Sequence, residues 1–200
     1  GTGAYAAFAI SSALFQRSRT GLGQFIDVSM SDAAVMLMSN SVMATQCYDQ
    51  TPTPSGNMHP IKVGYSAYLT AKGSLMLGAF TFKQLRNLCR TIGLEKLADS
   101  LSNVNNEELV ARYDELVEKI QEALAKKSAD EWEIILNKAG IPAARVRRID
   151  EALNSDQIKS RKVLKEFDKI PETGKPLSVP AAAFNYQHAG PSSTRQSPRL

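Results

Sequence analysis

From Ala4 to Arg19 the apolar residues Ala6, Ala7, Ile10, Ala13 and Leu14 recur at helical spacing, and Arg17 and Arg19 stand where the negative end of a helix favours cations. Thr20-Gly21-Leu22-Gly23 ends that pattern, because glycine takes up left-handed cap geometry without steric cost. Gln24–Ser29, with Phe25, Ile26 and Val28, predicts a short buried strand. Ser31 or Asp32 then caps a helix running to about Tyr48. With Val35, Met36, Leu37, Met38, Val42 and Met43 this helix is apolar on most sides, which predicts burial in a larger body or an interface.

The texture changes at Thr51–Pro60, where three prolines and a glycine mark a loop. Tyr65–Ala71 and Ser74–Phe80 predict two strands of a hairpin turning at Lys72-Gly73. Phe82, Leu85, Leu88 and Ile92 predict a helix that stops at Gly93. Leu109, Tyr113, Leu116, Val117, Ile120 and Leu124 predict one long amphipathic helix. Ser128 followed by Glu131 forms a capping-box pattern and opens a helix through Trp132, Ile135 and Leu136, stopped by Gly140-Ile141-Pro142. A short helix is expected around Gln157–Phe167. Five of the nine prolines lie from Pro171 onward, so that tail runs along another surface or is loose.

Composition narrows the class. At 200 residues, 43% hydrophobic and 22% charged, the chain has a globular balance sufficient for one ordinary domain or two small ones. No apolar run reaches the ~18 residues that span a bilayer and no signal peptide opens the chain, so the expectation is a cytoplasmic protein with no membrane partner. The net charge of +4 raises the question of nucleic acid. Its distribution answers it: nine acidic against four basic residues from Glu107 to Glu133, then ten basic against six acidic from Lys138 to Lys175, with Phe167 alone among the basic residues and so no aromatic platform for a single strand. That pattern predicts solvated helix faces and no nucleic-acid partner. Cys47 and Cys89 make neither a metal spacing nor a disulfide framework, which suits a reducing compartment and predicts no metal site. Gly1-Thr2-Gly3 runs straight into a helix without an initiator Met, so the chain reads as a piece of something longer.

Three ordered stretches carry a resemblance. The first runs from Ala13-Leu14 through Arg17 and Thr20-Gly21-Leu22-Gly23-Gln24 to Ile26-Asp27-Val28-Ser29-Met30 and Asp32-Ala33. The second is Gly56-Asn57-Met58-His59-Pro60, then Tyr65-Ser66-Ala67-Tyr68 and Lys72-Gly73. The third is Glu131-Trp132, then Ala139-Gly140-Ile141-Pro142-Ala143 and Ile149-Asp150-Glu151-Ala152, with Pro198-Arg199-Leu200 closing the chain. Together they resemble the family III CoA-transferases, the CaiB/BaiF family, over the C-terminal half of such proteins.

The resemblance implies an α/β fold: the end of a Rossmann-like large domain plus a small α/β domain, in an interlocked homodimer. Residues 1–55 would close the large coenzyme A-binding domain, 56–150 would form the small domain, and 151–200 would return to the large one. The implied chemistry moves coenzyme A between carboxylic acids through an aspartyl-CoA thioester, with an acyl-CoA and a carboxylic acid acceptor as partners. The coenzyme A thioester is a substrate, and no permanently bound cofactor is expected. The nucleophilic Asp of the family would lie two residues before Gly1. Asp27, in a strand, and Asp32, as a cap, do not replace it, so no catalytic residue is assigned here and these residues alone are expected to be silent. Substrate-binding candidates are His59, Lys62 and Gly64 in the small-domain loop, and Met30 from the large domain. The related α-methylacyl-CoA racemases carry a Glu where this chain has Thr81, which favours transferase over racemase. A non-catalytic dimer or binding scaffold is the remaining alternative.

Overall fold

The computed structural model describes residues 1–169, 174, 176–180, 183–184 and 187–188. The chain divides into two compact units, Gly1–Gly56 and Asn57–Leu200.

The first unit holds helices α1 (Thr2–Thr20), α2 (Met30–Leu37) and α3 (Ser39–Tyr48). Gly21, at φ 74, caps α1 and donates its N–H to the Arg17 carbonyl. The chain then folds back across the helix end: Leu22 N–H donates to Thr20 Oγ1 at 3.2 Å, and Gln24 Nε2 to Gln16 Oε1 at 2.9 Å. The strand expected over Gln24–Ser29 is absent, and Phe25 is 92% exposed. Its backbone finds no ladder partner among the described residues, and β-propensity without a neighbouring strand does not make a strand. The cap of α2 is Ser29, whose Oγ accepts the Asp32 N–H at 3.2 Å, rather than Ser31 or Asp32. Asp32 sits instead in the first turn, where a carboxylate faces the positive helix end. The expected single helix to Tyr48 is two, broken at Met38 (φ −96, ψ 18). Ala33 is the one buried residue of this unit, so the described residues do not supply the body expected around the helix.

The second unit builds a core of its own. Strands β1 (Ala67–Leu69), β2 (Ser74–Leu77) and β3 (Ala143–Arg145) form an antiparallel sheet in the order β1-β2-β3. The predicted hairpin is present but shorter, turning through Gly73 at φ 85 with Thr70 N–H donating to the Gly73 carbonyl. In register, Ala67 faces Met76 and Met76 faces Ala144. Period-two alternation therefore sends Leu75 and Leu77 inward and Met76 outward.

Helices α4 (Phe82–Thr91), α5 (Glu95–Ser100), α6 (Asn106–Ala111), α7 (Tyr113–Leu124) and α8 (Ala129–Lys138) lie between β2 and β3 in sequence. The long amphipathic helix expected over 109–124 is α6 and α7, separated at Arg112 (φ −102, ψ 12). Leu75, Leu77, Leu88, Leu116, Ile120, Leu136 and Ile141 are fully buried in one cluster, each contributing about 1.5–3 kcal/mol. Trp132 joins it and satisfies its indole N–H on the Leu124 carbonyl at 2.8 Å. The capping box expected from Ser128 and Glu131 is formed, and Thr81 with Gln84 makes another at α4. Gln121 reaches the outer edge of β1 and meets both Leu69 N–H and Leu69 C=O, at 3.1 and 2.8 Å, filling the place of a further strand.

Beyond β3 come α9 (Ile149–Leu153) and α10 (Asp156–Arg161). Arg145 pairs with Glu151 at 2.6 Å and approaches Asp130 at 3.0 Å, and Arg147 pairs with Glu133 at 2.6 Å, tying α8, β3 and α9 together. The helix expected over Gln157–Phe167 stops at Arg161, where Lys162 turns left-handed at φ 51. Strand β4 (Leu164–Lys169) follows and pairs antiparallel with β5 (Pro176–Pro180). Pro176 and Pro180 thus stand at the two ends of a strand in a two-stranded ribbon, a setting that tolerates the missing N–H. Pro198-Arg199-Leu200 lies outside the described residues. Among the described residues no helix is long and apolar enough to cross a membrane, and no group of His, Cys, Asp or Glu is placed to hold a metal ion.

Candidate functional site

The second unit concentrates polar chemistry in the loop before β1. Three of the four substrate-binding candidates, His59, Lys62 and Gly64, share this loop; Met30 belongs to the first unit, as the first residue of α2, and is 79% exposed. The loop is anchored at both ends. Ala67 N–H donates to the Asn57 carbonyl at 3.0 Å, and Ala79 N–H donates to the Gly64 carbonyl at 2.9 Å. Gly64 lies so close to the residues after β2 that a Cβ there would stand 2.4 Å from the Ala79 carbonyl oxygen, so only glycine fits. Beneath the loop, the buried Tyr68 hydroxyl donates to the Val63 carbonyl at 2.7 Å. Burial pushes the Tyr68 phenol well above its ordinary value, keeping it a neutral donor.

His59 occupies the middle of this network and is half-buried. Its N–H donates to Ser66 Oγ at 2.9 Å, and its carbonyl accepts the Tyr113 hydroxyl from α7 at 2.7 Å. Ser66 is itself buried, and burial raises the Tyr113 phenol above its usual range. The imidazole meets Tyr65 edge-on at 5.9 Å between centroids, and Tyr65 meets Phe80 the same way at 5.6 Å.

Lys62 points its ammonium over two aromatic faces, 5.2 Å from the Phe80 centroid and 5.9 Å from that of Phe82. Such contacts contribute about 0.5–1 kcal/mol at exposed sites and hold an otherwise free cation in one place. The same residues line a narrow slot between the loop and the start of α4, floored by Val63, Ala79, Leu85 and Leu109 and enclosing only about 10 Å³. Sites that enclose a ligand run to roughly 300–1,000 Å³. The slot is therefore no chamber for a ligand, having room for about one water, and what it presents is a cation set against an aromatic wall. Thr81 is at its rim as the N-cap of α4, engaged with Gln84.

Phe80, Phe82, Ser66 and Tyr113 were not among the sequence candidates. Two phenylalanines flanking a capping threonine are the only local signal for the first pair. The reach of Tyr113 to His59 spans 54 residues and leaves no trace in local pattern.

In the first unit, Asp27, Ser29 and Asp32 border an open groove of about 230 Å³ walled by Tyr5, Phe8 and Met36. Asp27 lies in extended chain without strand pairing, and Asp32 is held at the start of α2.

A family model, CoA-transferase family III, matches residues 1–200. The chain is 29% identical over 170 residues to an acetyl-CoA:oxalate CoA-transferase of Acetobacter aceti, covering 85% of this chain and 44% of that protein. It is 26% identical over 199 residues to a succinyl-CoA:glutarate CoA-transferase of Homo sapiens, covering 100% of this chain and 45% of that protein. Among solved structures it is similar to a CAIB/BAIF family protein from Brucella suis, at a TM-score of 0.76 and 26% identity, covering 100% of this chain and 51% of that one. The chain thus spans about half the length of the relatives it matches.

Proposed function

The chain belongs to CoA-transferase family III, and we propose that it forms one part of an enzyme that moves coenzyme A between carboxylic acids. The match over the whole chain carries this reading. Residues 1–55 would close a coenzyme A-binding domain, 56–150 would form a small acyl-facing domain, and 151–200 would return to the first, in an interlocked homodimer. An aspartate carboxylate two residues before Gly1 would attack the acyl-CoA thioester, expelling the thiolate and leaving a mixed anhydride. The thiolate would then attack the aspartyl carbonyl, releasing the donor acid and leaving an aspartyl-CoA thioester. The acceptor carboxylate reverses the sequence and departs as the new thioester. Dividing one exchange into several acyl transfers lowers each barrier.

The acids named for the two relatives above, oxalate and glutarate, carry two carboxylates each. Only one can react at a time, so the other needs a partner. Lys62, steadied over Phe80 and Phe82, would supply it, and Gly64 lets the loop lie close to Ala79.

The test uses the protein with its preceding residues. Incubation with acyl-CoA should add the mass of coenzyme A less one water, and hydroxylamine should remove it. Lys62→Met should raise KM for a dicarboxylate acceptor by about 10–100-fold, the size of a lost charge-assisted contact. A monocarboxylate of equal length should change less than about threefold. Absence of the adduct defeats the covalent mechanism, and equal effects on both acids defeat the role of Lys62.

A further inference from the structure

The side chain of His59 makes contacts that a substrate-binding histidine would not need. Its Nδ1 accepts two backbone N–H groups, from Ile61 at 3.2 Å and from Lys62 at 3.1 Å. These donors lie two and three residues further on, across Pro60, which has no N–H to offer. Asn and Asp side chains make the same pattern when their oxygen binds the backbone just ahead of them. A histidine can imitate it only while Nδ1 carries no proton. The backbone of His59 is already tied at both polar atoms, to Ser66 and to Tyr113, so the imidazole is the part of this turn whose bonding a proton can change. The turn ends at Lys62, whose carbonyl accepts the Tyr65 N–H at 3.0 Å and whose ammonium sits over Phe80.

We infer that His59 is a positioning residue: through Nδ1 its neutral imidazole holds the turn that presents Lys62 to the slot, and a proton taken up at Nδ1 releases that turn. The functional part of this inference rests on the reading of Lys62 as the contact for an acyl carboxylate; the latch itself does not.

The titratable groups around His59 are Lys62 and Tyr65 on its own loop and Tyr113 from α7, whose hydroxyl meets the His59 carbonyl and not the ring. Burial first, and the Lys62 charge second, hold the imidazole below its ordinary value near 6.5. The closed turn therefore binds a proton less readily than the open one. Its stability is complete above the ordinary histidine range and is lost as the pH falls through and below it. Capture of a carboxylate at Lys62 should weaken in the same direction.

The experiment uses the full chain and two readouts that need no turnover. Long-range proton–nitrogen NMR at pH 7.5 should show His59 protonated on Nε2 with Nδ1 bare. Exchange protection of the Ile61 and Lys62 amides, corrected for intrinsic rates, should fall about tenfold from pH 7.5 to pH 5.0. In His59→Asn, whose Oδ1 takes the place of Nδ1 without titrating, protection should persist and vary less than about twofold over that range. In His59→Ala it should be low at both. A proton on Nδ1, or protection that ignores pH in the parent chain, overturns the inference without recourse to any variant. A fall in His59→Asn equal to the parent's overturns it as well, since the proton would then be acting elsewhere. Succinate binding measured by calorimetry separates the two readings. The latch pattern without succinate binding upholds the latch and defeats the role of Lys62, while binding without the pattern does the reverse.

Discussion

Between Gly1 and Gly56 the side chains of Phe8, Phe15, Met36 and Met38 stand 57–72% exposed, while between Val63 and Ile141 those of Leu75, Leu88, Leu116 and Leu136 are fully enclosed. Residue type does not separate the two regions, since both are rich in large apolar groups. Layering does. From Asn57 onward a three-stranded sheet offers one face to helices, and two layers close over each other. The first unit has three helices and no sheet, and buries only Ala33. Burial is thus a property of what faces a residue, and apolarity without a facing layer leaves a surface.

Each region carries one of the two cysteines, so chemistry can test the contrast directly. Cys47 is exposed and Cys89 is buried, with burial pushing the Cys89 thiol up to about 11. At pH 8 a thiol reagent should label Cys47 at once. Cys89 should react on the order of a thousandfold more slowly or less, because its thiol is exposed only when the core opens. Mass spectrometry of timed samples reads both sites. Comparable rates would mean that the second unit does not hold a closed core.

Truncation inside that core is the next largest effect. Leu116→Ala removes a fully buried α7 side chain from the core cluster, and should cost about 2–5 kcal/mol in urea unfolding followed by the fluorescence of Trp132. Gly64→Ala should cost about 1–3 kcal/mol, since its methyl would press on the Ala79 carbonyl and push the loop outward. That loss should be accompanied by weaker exchange protection of the Ala79 amide, which donates to Gly64. An unchanged midpoint would mean that the loop is not clamped to the sheet.

What the sequence revealed follows the same division. In the second unit local pattern and tertiary outcome agree wherever the element is decided locally. The α4 spacing of Phe82, Leu85 and Leu88, the Ser128–Glu131 cap and, with shorter strands than read, the hairpin at Gly73 are present, because each is settled within a few residues. Strand β3 was missed because Ala143-Ala144-Arg145 has little β character; it becomes a strand through pairing with β2, 66 or more residues away in the chain. The break at Arg112 was missed because apolar spacing runs on unbroken from Leu109 to Tyr113 while the backbone does not. In the first unit Phe25, Ile26 and Val28 have strand chemistry but no partner strand, so the pattern was present and its consequence was not. The loop of the site was legible as His59, Lys62 and Gly64, and the ordered motifs identified the family. The aromatic seat of Lys62 and the tie from Tyr113 were invisible, being contacts between elements rather than features of either one.

The smallest expected effect sharpens the comparison most, because it asks whether the first unit has a hidden core. Met43, in α3, is 55% exposed, with no buried neighbour on its own helix. Met43→Gln keeps the length and helix propensity of the side chain and changes mainly its polarity. If the face is open to water, the substitution should shift stability by no more than about 0.5 kcal/mol, the ordinary range for surface positions. The readout is the far-ultraviolet signal in urea, since Trp132 reports on the other unit. A cost near 2 kcal/mol would place Met43 under cover, and would mean that the first unit, like the second, packs its apolar residues against a facing layer. A change within the surface range, set beside the loss at Leu116, would assign the difference between the two regions to layering alone, with the apolar content of each left as it is.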